Sequence, residues 1–422
     1  MSKMLFADLL IEKDGLIKGP FGGDIKKSLF VTQTKDTYKV YEQGVVLKND
    51  INYGTYYISN EHFESKLKRF EVKKGDLLMT GAGTLGEILT VPENAPKGVI
   101  NQALLRIRLN ESVISSTFFK YYFKYYIKAI ISRINGDSVI PNLPPLPLIR
   151  NTEVDIPNTN YQNKIASVLT ALDSKIELNN RINAELESMA KTLYDYWFVQ
   201  FEFPIYNQDG TLSGAEGYKT SGGTMIWKEE LKREIPEGWE VKNLQEIAKC
   251  IMGQSPKGES YNQNGIGTPL LNGPADYENG ALKGRTFTTE PTRLCQKNDL
   301  VLCIRATIGN LVYSEQEFCL GRGVAAVRAN DKRLSELIYF LLIQEIERFK
   351  VQATGSIIVG ITKDDLIESK CLIAKDDIIH SFHSQIKPQF DKIRINKKEN
   401  QKLTELRDWL LPMLMNGQVK VN

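Results

Sequence analysis

The sequence predicts an α+β fold: two copies of a mixed α/β domain, each closed by a long helix with a coiled-coil seam. Three observations carry this expectation. The chain matches itself in three segments that keep the same order. Each copy opens with short β-type runs between Gly, Pro and Asn breakers, and each closes on a long stretch with the periodicity of a helix–helix seam. A chain of 422 residues is also too long for one ordinary core.

The repeat organises the rest. GDLLMTGAGTLG (75–86) aligns with NDLVLCIRATIG (298–309), so that Asp76, Leu77, Thr84 and Gly86 match Asp299, Leu300, Thr307 and Gly309. Further on, Gly136 in NGDSVIPNL faces Gly355 in TGSIIVGIT. KIELNNRINAELESMAKTL (175–193) then aligns with KIRINKKENQKLTELRDWL (392–410), where Lys175, Ile176, Asn179, Asn183, Leu186 and Leu193 recur as Lys392, Ile393, Asn396, Asn400, Leu403 and Leu410. Chance supplies one such match, not three in series. The chain is two copies of roughly 200 residues each.

The elements follow in order. Residues 1–158 form a first mixed domain, with strand-like VVLKND, TYYIS, DLLMT, EILTV and ALLRIRL before a helix-like 115–134. Residues 159–203 form the first long helix. Ile165, Leu172, Leu186 and Leu193 sit seven or fourteen apart, and Leu169, Ile176, Ala190 and Trp197 fill the positions four later. Residues 204–234, with five glycines amid Ser and Thr, read as an exposed flexible linker. Residues 235–375 form the second mixed domain and 376–422 the second long helix, with Phe382, Ile386, Ile393, Leu403, Leu406, Leu410 and Leu414 on its stripe. Pro388 is expected to kink or break the first turns of that helix.

Asn179, Asn183, Asn396 and Asn400 interrupt the apolar stripes at repeat-equivalent places. Buried asparagines cost stability and fix register. If the helices pair antiparallel, Asn179 meets Asn400 and Asn183 meets Asn396; the alternative is solvated asparagine on a helix flank.

Composition narrows the function classes. With 42% hydrophobic and 25% charged residues the chain reads as globular, and no apolar run reaches the ~20 residues that span a bilayer. The N-terminus lacks a secretory pattern, so a cytoplasmic location without membrane partners is expected. A net charge of +3, from 54 basic and 51 acidic residues, neither demands nor excludes nucleic acid. The five cysteines form no CxxC pair and only three histidines exist, so metal ligation is unsupported and buried reduced thiols are expected.

Motifs for chemistry fail on inspection. Gly81 to Gly86 is a literal GxGxxG, but EILTV follows it, a strand where a phosphate-holding helix should begin. The second copy keeps only Thr307 and Gly309 of that pattern, so a β-turn fits both copies. Asn142-Leu143-Pro144-Pro145 is interrupted by leucine and lacks the aromatic residue of an amino-methyltransferase motif. A self-contained methyltransferase is therefore disfavoured, and a pure coiled-coil scaffold is opposed by the two mixed domains.

Residues 162–204 resemble the central conserved helix of Type I restriction-modification specificity subunits. Residues 218–240 resemble their linker, 406–421 their C-terminal signature, and the repeated Asp-Leu…Thr-x-Gly element the turn of their target-recognition domains. The first copy departs from the pattern in lacking an IPxGW lead-in. The resemblance implies a non-catalytic, DNA-binding subunit. Two target-recognition domains, related by pseudo-two-fold symmetry and separated by two long antiparallel coiled-coil helices, would each read one half of a split, asymmetric double-stranded site, and the helices would set the gap. Two modification (methyltransferase) subunits would dock on the helices, and restriction subunits would translocate and cleave. It implies no cofactor in this chain, with S-adenosylmethionine, ATP and Mg belonging to the partners. A recognition subunit of a Type IIB-like system, or a solitary phage homologue, is the alternative.

On that footing, base-reading parts should differ between copies and backbone-positioning parts should be shared. GPFGGDIKKS (19–28) and GQSPKGESY (253–261) are the paired candidates, with Lys26, Lys27 and Lys257 expected at phosphates. Arg305, Ser138 and Ser356 are further DNA-binding candidates, and Arg285 is a candidate for a guanine edge.

Overall fold

A computed structural model describes residues 2–11, 14–81, 83–135, 143–207, 211–278, 280–305, 308–353 and 360–421. The fold is α+β. Two compact units form, residues 1–176 with 402–422, and residues 177–401. Among the described residues four helices are long: α1 (Ser116–Asn135), α2 (Thr159–Tyr194), α3 (Ser335–Ala353) and α4 (Asp376–Met415). Among the described residues no helix is long and apolar enough to cross a membrane.

In the first unit, one antiparallel sheet runs in the order Leu16–Lys18, Leu104–Ile107, Leu77–Thr80, Ile88–Thr90. A second runs Tyr57–Ile58, Tyr38–Tyr41, Gly98–Ile100, Glu71–Val72, with its central pair parallel. LLMT is buried along its length because both faces of its strand are covered. Leu78 packs with Ile17, Leu104, Tyr41 and Ile100 of the two sheets. Leu77 and Met79 face Phe119 and Phe123 of α1 and Ile165 and Leu169 of α2. Alternate residues of a strand point to opposite faces, so one run serves two cores.

The second unit repeats this plan. Its antiparallel sheet runs Ala248–Met252, Val324–Ala329, Leu300–Cys303, Gly309–Tyr313. Its other sheet again has a parallel pair, Thr268–Leu271 with Phe318–Leu320. Leu300 and Leu302 face α3, while Val301 and Cys303 pack with Leu271 and Phe318, repeating the alternation of the first unit.

Three sequence expectations change. The described part of 204–234 is built into antiparallel ribbons, Pro204–Tyr206 with Leu212–Gly217 and Met225–Lys228 with Arg233–Pro236. Aromatic packing outweighs its glycine content: Phe203 stacks on Tyr218 at 4.6 Å and on Trp239 at 5.0 Å. Helix α4 continues unbroken through Pro388, held by buried Phe382, Ile386 and Phe390 to either side. Leu406, assigned to the buried stripe, is 43% exposed. All five cysteines are free, four buried and Cys250 half-buried. Burial pushes the thiols of Cys250 and Cys303 up to about 11 and Cys371 to about 12, so they behave as small apolar groups.

Candidate nucleic-acid interface

The two units carry the same set of loops at one end of their sheets, fixed by matching backbone hydrogen bonds. Gly19 N donates to Leu104 O (3.0 Å), and Gly253 N to Val324 O (3.0 Å). Asn101 N donates to Tyr41 O (3.0 Å), and Gly321 N to Leu271 O (2.7 Å). Gly81 N donates to Ala103 O (2.8 Å), and Ile304 N to Gly323 O (3.0 Å). Glycine is required where the first of these pairs closes. A Cβ on Gly19 would lie 1.9 Å from Asn101 O, and one on Gly253 2.1 Å from Gly321 O. The loops beginning at 19 and 253 are thus held against the turns at 101–103 and 321–323.

A buried ion pair explains the repeated aspartate. Asp76 accepts from Lys73 N (2.7 Å) and from Arg108 Nε and Nη2 (2.7 and 3.0 Å). Asp299 accepts from Gln296 N (2.7 Å) and from Arg328 Nε and Nη2 (both 2.7 Å). Each carboxylate ties a turn to a strand of the sheet, and the hydrogen bond to Asp299 raises the Arg328 pKa. In the first unit two more cations are buried. Arg106 donates to the carbonyls of Arg69, Glu71 and Asp14, and burial pushes it down to about 10; Lys39 donates to the carbonyls of Asn52 and Gly54. These charges are consumed inside the fold and face no outside partner.

The glycine motif is the loop of a hairpin between Leu77–Thr80 and Ile88–Thr90. Thr80 Oγ1 accepts from Glu87 N (3.1 Å), while Gly83 (φ +66°) and Gly86 (φ +88°) take the left-handed conformation that such a turn demands. The motif leads into a strand, so no helix N-terminus is presented to a phosphate there.

The candidate residues fall into three groups. Lys26, Lys27 and Lys257 are exposed, and Lys26 and Lys257 are structural equivalents. Each of these two precedes a single helical turn and accepts its closing bond, Leu29 N to Lys26 O (2.9 Å) and Ser260 N to Lys257 O (3.0 Å). Arg305 is exposed in the same loop set, its Cγ 3.0 Å from where a Cβ on Gly360 would sit. Arg285 instead lies in the bend between the ribbon Tyr277–Glu278/Ala281–Leu282 and the strand Thr286–Thr288, with Nη2 3.8 Å from Glu278 Oε2. Ser138 and Ser356 lie outside the described residues.

The asparagines meet in the second unit. Asn179 Nδ2 donates to Asn400 Oδ1 (2.9 Å) and Glu399 Oε2 (2.8 Å), and Asn396 Nδ2 donates to Asn183 Oδ1 (2.9 Å). Asn400 Nδ2 reaches Asn180 Oδ1 (2.8 Å). Asn179, Asn183 and Asn396 are buried, so the seam is polar at its middle and runs antiparallel there. In the first unit Arg407 Nη1 of α4 pairs with Asp173 Oδ1 of α2 (2.8 Å).

Residues 22–188 and again 236–405 match the family of Type I restriction modification DNA specificity domains. The chain is similar to the MjaX and MjaIX specificity subunits of type I restriction enzymes from Methanocaldococcus jannaschii. Identity to MjaX is 25% over 276 residues, 65% of this chain and 60% of that relative. Identity to MjaIX is 26% over 363 residues, 82% and 78% of the two chains. The crystal structure of a Type-I restriction-modification S subunit from M. genitalium has the same fold, with a TM-score of 0.56 and 18% identity over 98% of this chain and 95% of that one. Two matched domains covering most of the chain place it in the family of Type I restriction-modification specificity subunits.

Proposed function

We propose that the chain reads a split, asymmetric DNA sequence, each unit reading one half through its loop set. The observation that carries this reading is the loop set itself: the two units share its backbone scaffold while differing in the side chains displayed on it. A shared frame with private side chains is what two different half-sites require. The long helices set the unread gap and dock two modification subunits. Leu178, Met189, Ile395, Leu406 and Trp409, all exposed apolar residues of α2 and α4, support docking there. Those subunits supply adenine methylation with S-adenosylmethionine, and restriction subunits add ATP- and Mg-dependent translocation and cleavage, in the cytoplasm. This chain contributes recognition and no chemistry.

Co-expression with the modification subunits, followed by methylation-sensitive sequencing, tests the reading. Two short, dissimilar half-sites with a fixed gap are expected; a continuous or palindromic site would overturn it. Within that complex, Lys26→Glu with Lys27→Glu should weaken DNA binding and flatten its salt dependence, because every phosphate left without its lysine takes about 0.9 off the log–log slope. An unchanged slope removes both lysines from the interface.

A further inference from the structure

We propose that Gln102 and Arg322 are equivalent base-reading residues, Gln102 for an adenine in the half-site of the first unit and Arg322 for a guanine in that of the second. The inference rests on the function proposed above. Three observations carry it.

The two residues occupy one position in the repeated fold. Each follows the residue whose N–H closes the parallel pair of strands, Asn101 onto Tyr41 O and Gly321 onto Leu271 O. Each also precedes the residue whose carbonyl receives the N–H at the tip of the central hairpin, Ala103 from Gly81 and Gly323 from Ile304. Leu104 N to Asn101 O (3.1 Å) and Val324 N to Gly321 O (3.2 Å) close both turns alike. The backbone is therefore a common frame, and the side chain is the variable on it.

Both side chains lie against the loop that carries the equivalent lysines. Gln102 Oε1 sits 3.3 Å from where a Cβ on Gly22 would stand, and Arg322 Nε donates to Ser255 Oγ (3.2 Å). Lys26 and Lys257 are shared between copies and suit the phosphate backbone, which carries no sequence. Gln102 and Arg322 differ between copies and suit base edges, which do.

Both are exposed with donors to spare. Among the described residues the Gln102 amide has no hydrogen-bond partner, and Arg322 has no carboxylate partner, unlike Arg285 beside Glu278. A guanidinium pairs bidentately with guanine O6 and N7, and a carboxamide with adenine N6 and N7. Ser255 on Nε leaves both Nη groups of Arg322 free for such a fork.

The test uses the full chain in complex with its modification subunits, reading methylated motifs by single-molecule sequencing for the wild type, Arg322→Gln and Gln102→Arg. Arg322→Gln should lower the preference for guanine at one position of one half-site by about tenfold or more. Gln102→Arg should do the same for adenine in the other, each with the remaining positions and the gap unchanged. Thermal melts matching the wild type confirm that both variants fold. Unchanged motifs for both variants, or loss of methylation that is uniform across sequences, overturns the assignment. A wild-type complex that methylates no split site overturns instead the function on which it rests.

Discussion

Asp76→Ala is expected to destabilise the first unit by about 3 kcal/mol, toward the lower end of the range for breaking a buried ion pair. The Asp76 side chain is only 4% exposed, and its removal strands Arg108, whose side chain is 24% exposed, beside the unpaired N–H of Lys73. It also deprives buried Arg106 of a carboxylate 4.0 Å away, though Arg106 keeps its three carbonyl partners. Arg108 donates also to Glu71 O, so it keeps one partner and some access to water, which is why the upper range of ~5 kcal/mol is not expected. Asp299→Ala should act in the same way on the second unit, where Arg328 is 30% exposed and Asp299 3%. Hydrogen exchange read peptide by peptide measures each effect in its own unit. Pairing Asp76→Ala with Arg108→Met should recover part of the loss, because one uncompensated charge goes while buried Arg106 remains. A loss below ~1 kcal/mol for either single variant would show that the clamp is dispensable.

Much of the fold was legible because it was written twice. Asp76 and Asp299, matching letters of the repeat, occupy identical clamps, and the alternating strands around Leu77 and Leu300 bury the same faces. Legibility failed where tertiary packing overrides local propensity. The glycines of 204–234 suggested a loose linker, yet Phe203, Tyr218 and Trp239 stack and order it. Pro388 suggests a break, since an interior proline loses a ladder bond and crowds the carbonyl four residues back, but buried side chains on either side hold α4 together. Of the candidate interface, the lysines were readable as exposed charge. Gln102 and Arg322 were not, because their equivalence depends on strand register: NQALL and GRGVA share no letter at matching positions. A parallel pair of strands, invisible to sequence periodicity, brings those turns against the loops at 19 and 253.

Replacing Asn179, Asn183, Asn396 and Asn400 together by Leu is expected to raise the stability of the second unit by ~1–4 kcal/mol, the range seen when buried polar groups give way to well-packed apolar ones. Asn396 shows why the native arrangement is costly: its Nδ2 is satisfied by Asn183, but its buried Oδ1 has no partner. The single change Asn396→Leu should act in the opposite sense, lowering stability by about 1–3 kcal/mol, since Asn183 Oδ1 is then left buried and unpaired. That sign reversal distinguishes a hydrogen-bonded seam from four solvated flank residues, for which single and quadruple changes would both lie within ~0.5 kcal/mol of zero. The stability gained should come with a functional loss. Amide pairs accept one alignment, Asn179 with Asn400 and Asn183 with Asn396, whereas an all-leucine stripe also accepts alignments displaced by a turn or a heptad. If the helices set the gap between half-sites, the quadruple variant in complex with its modification subunits should methylate sites with more than one gap length. A single gap together with unchanged melting would remove the asparagines from any role in register.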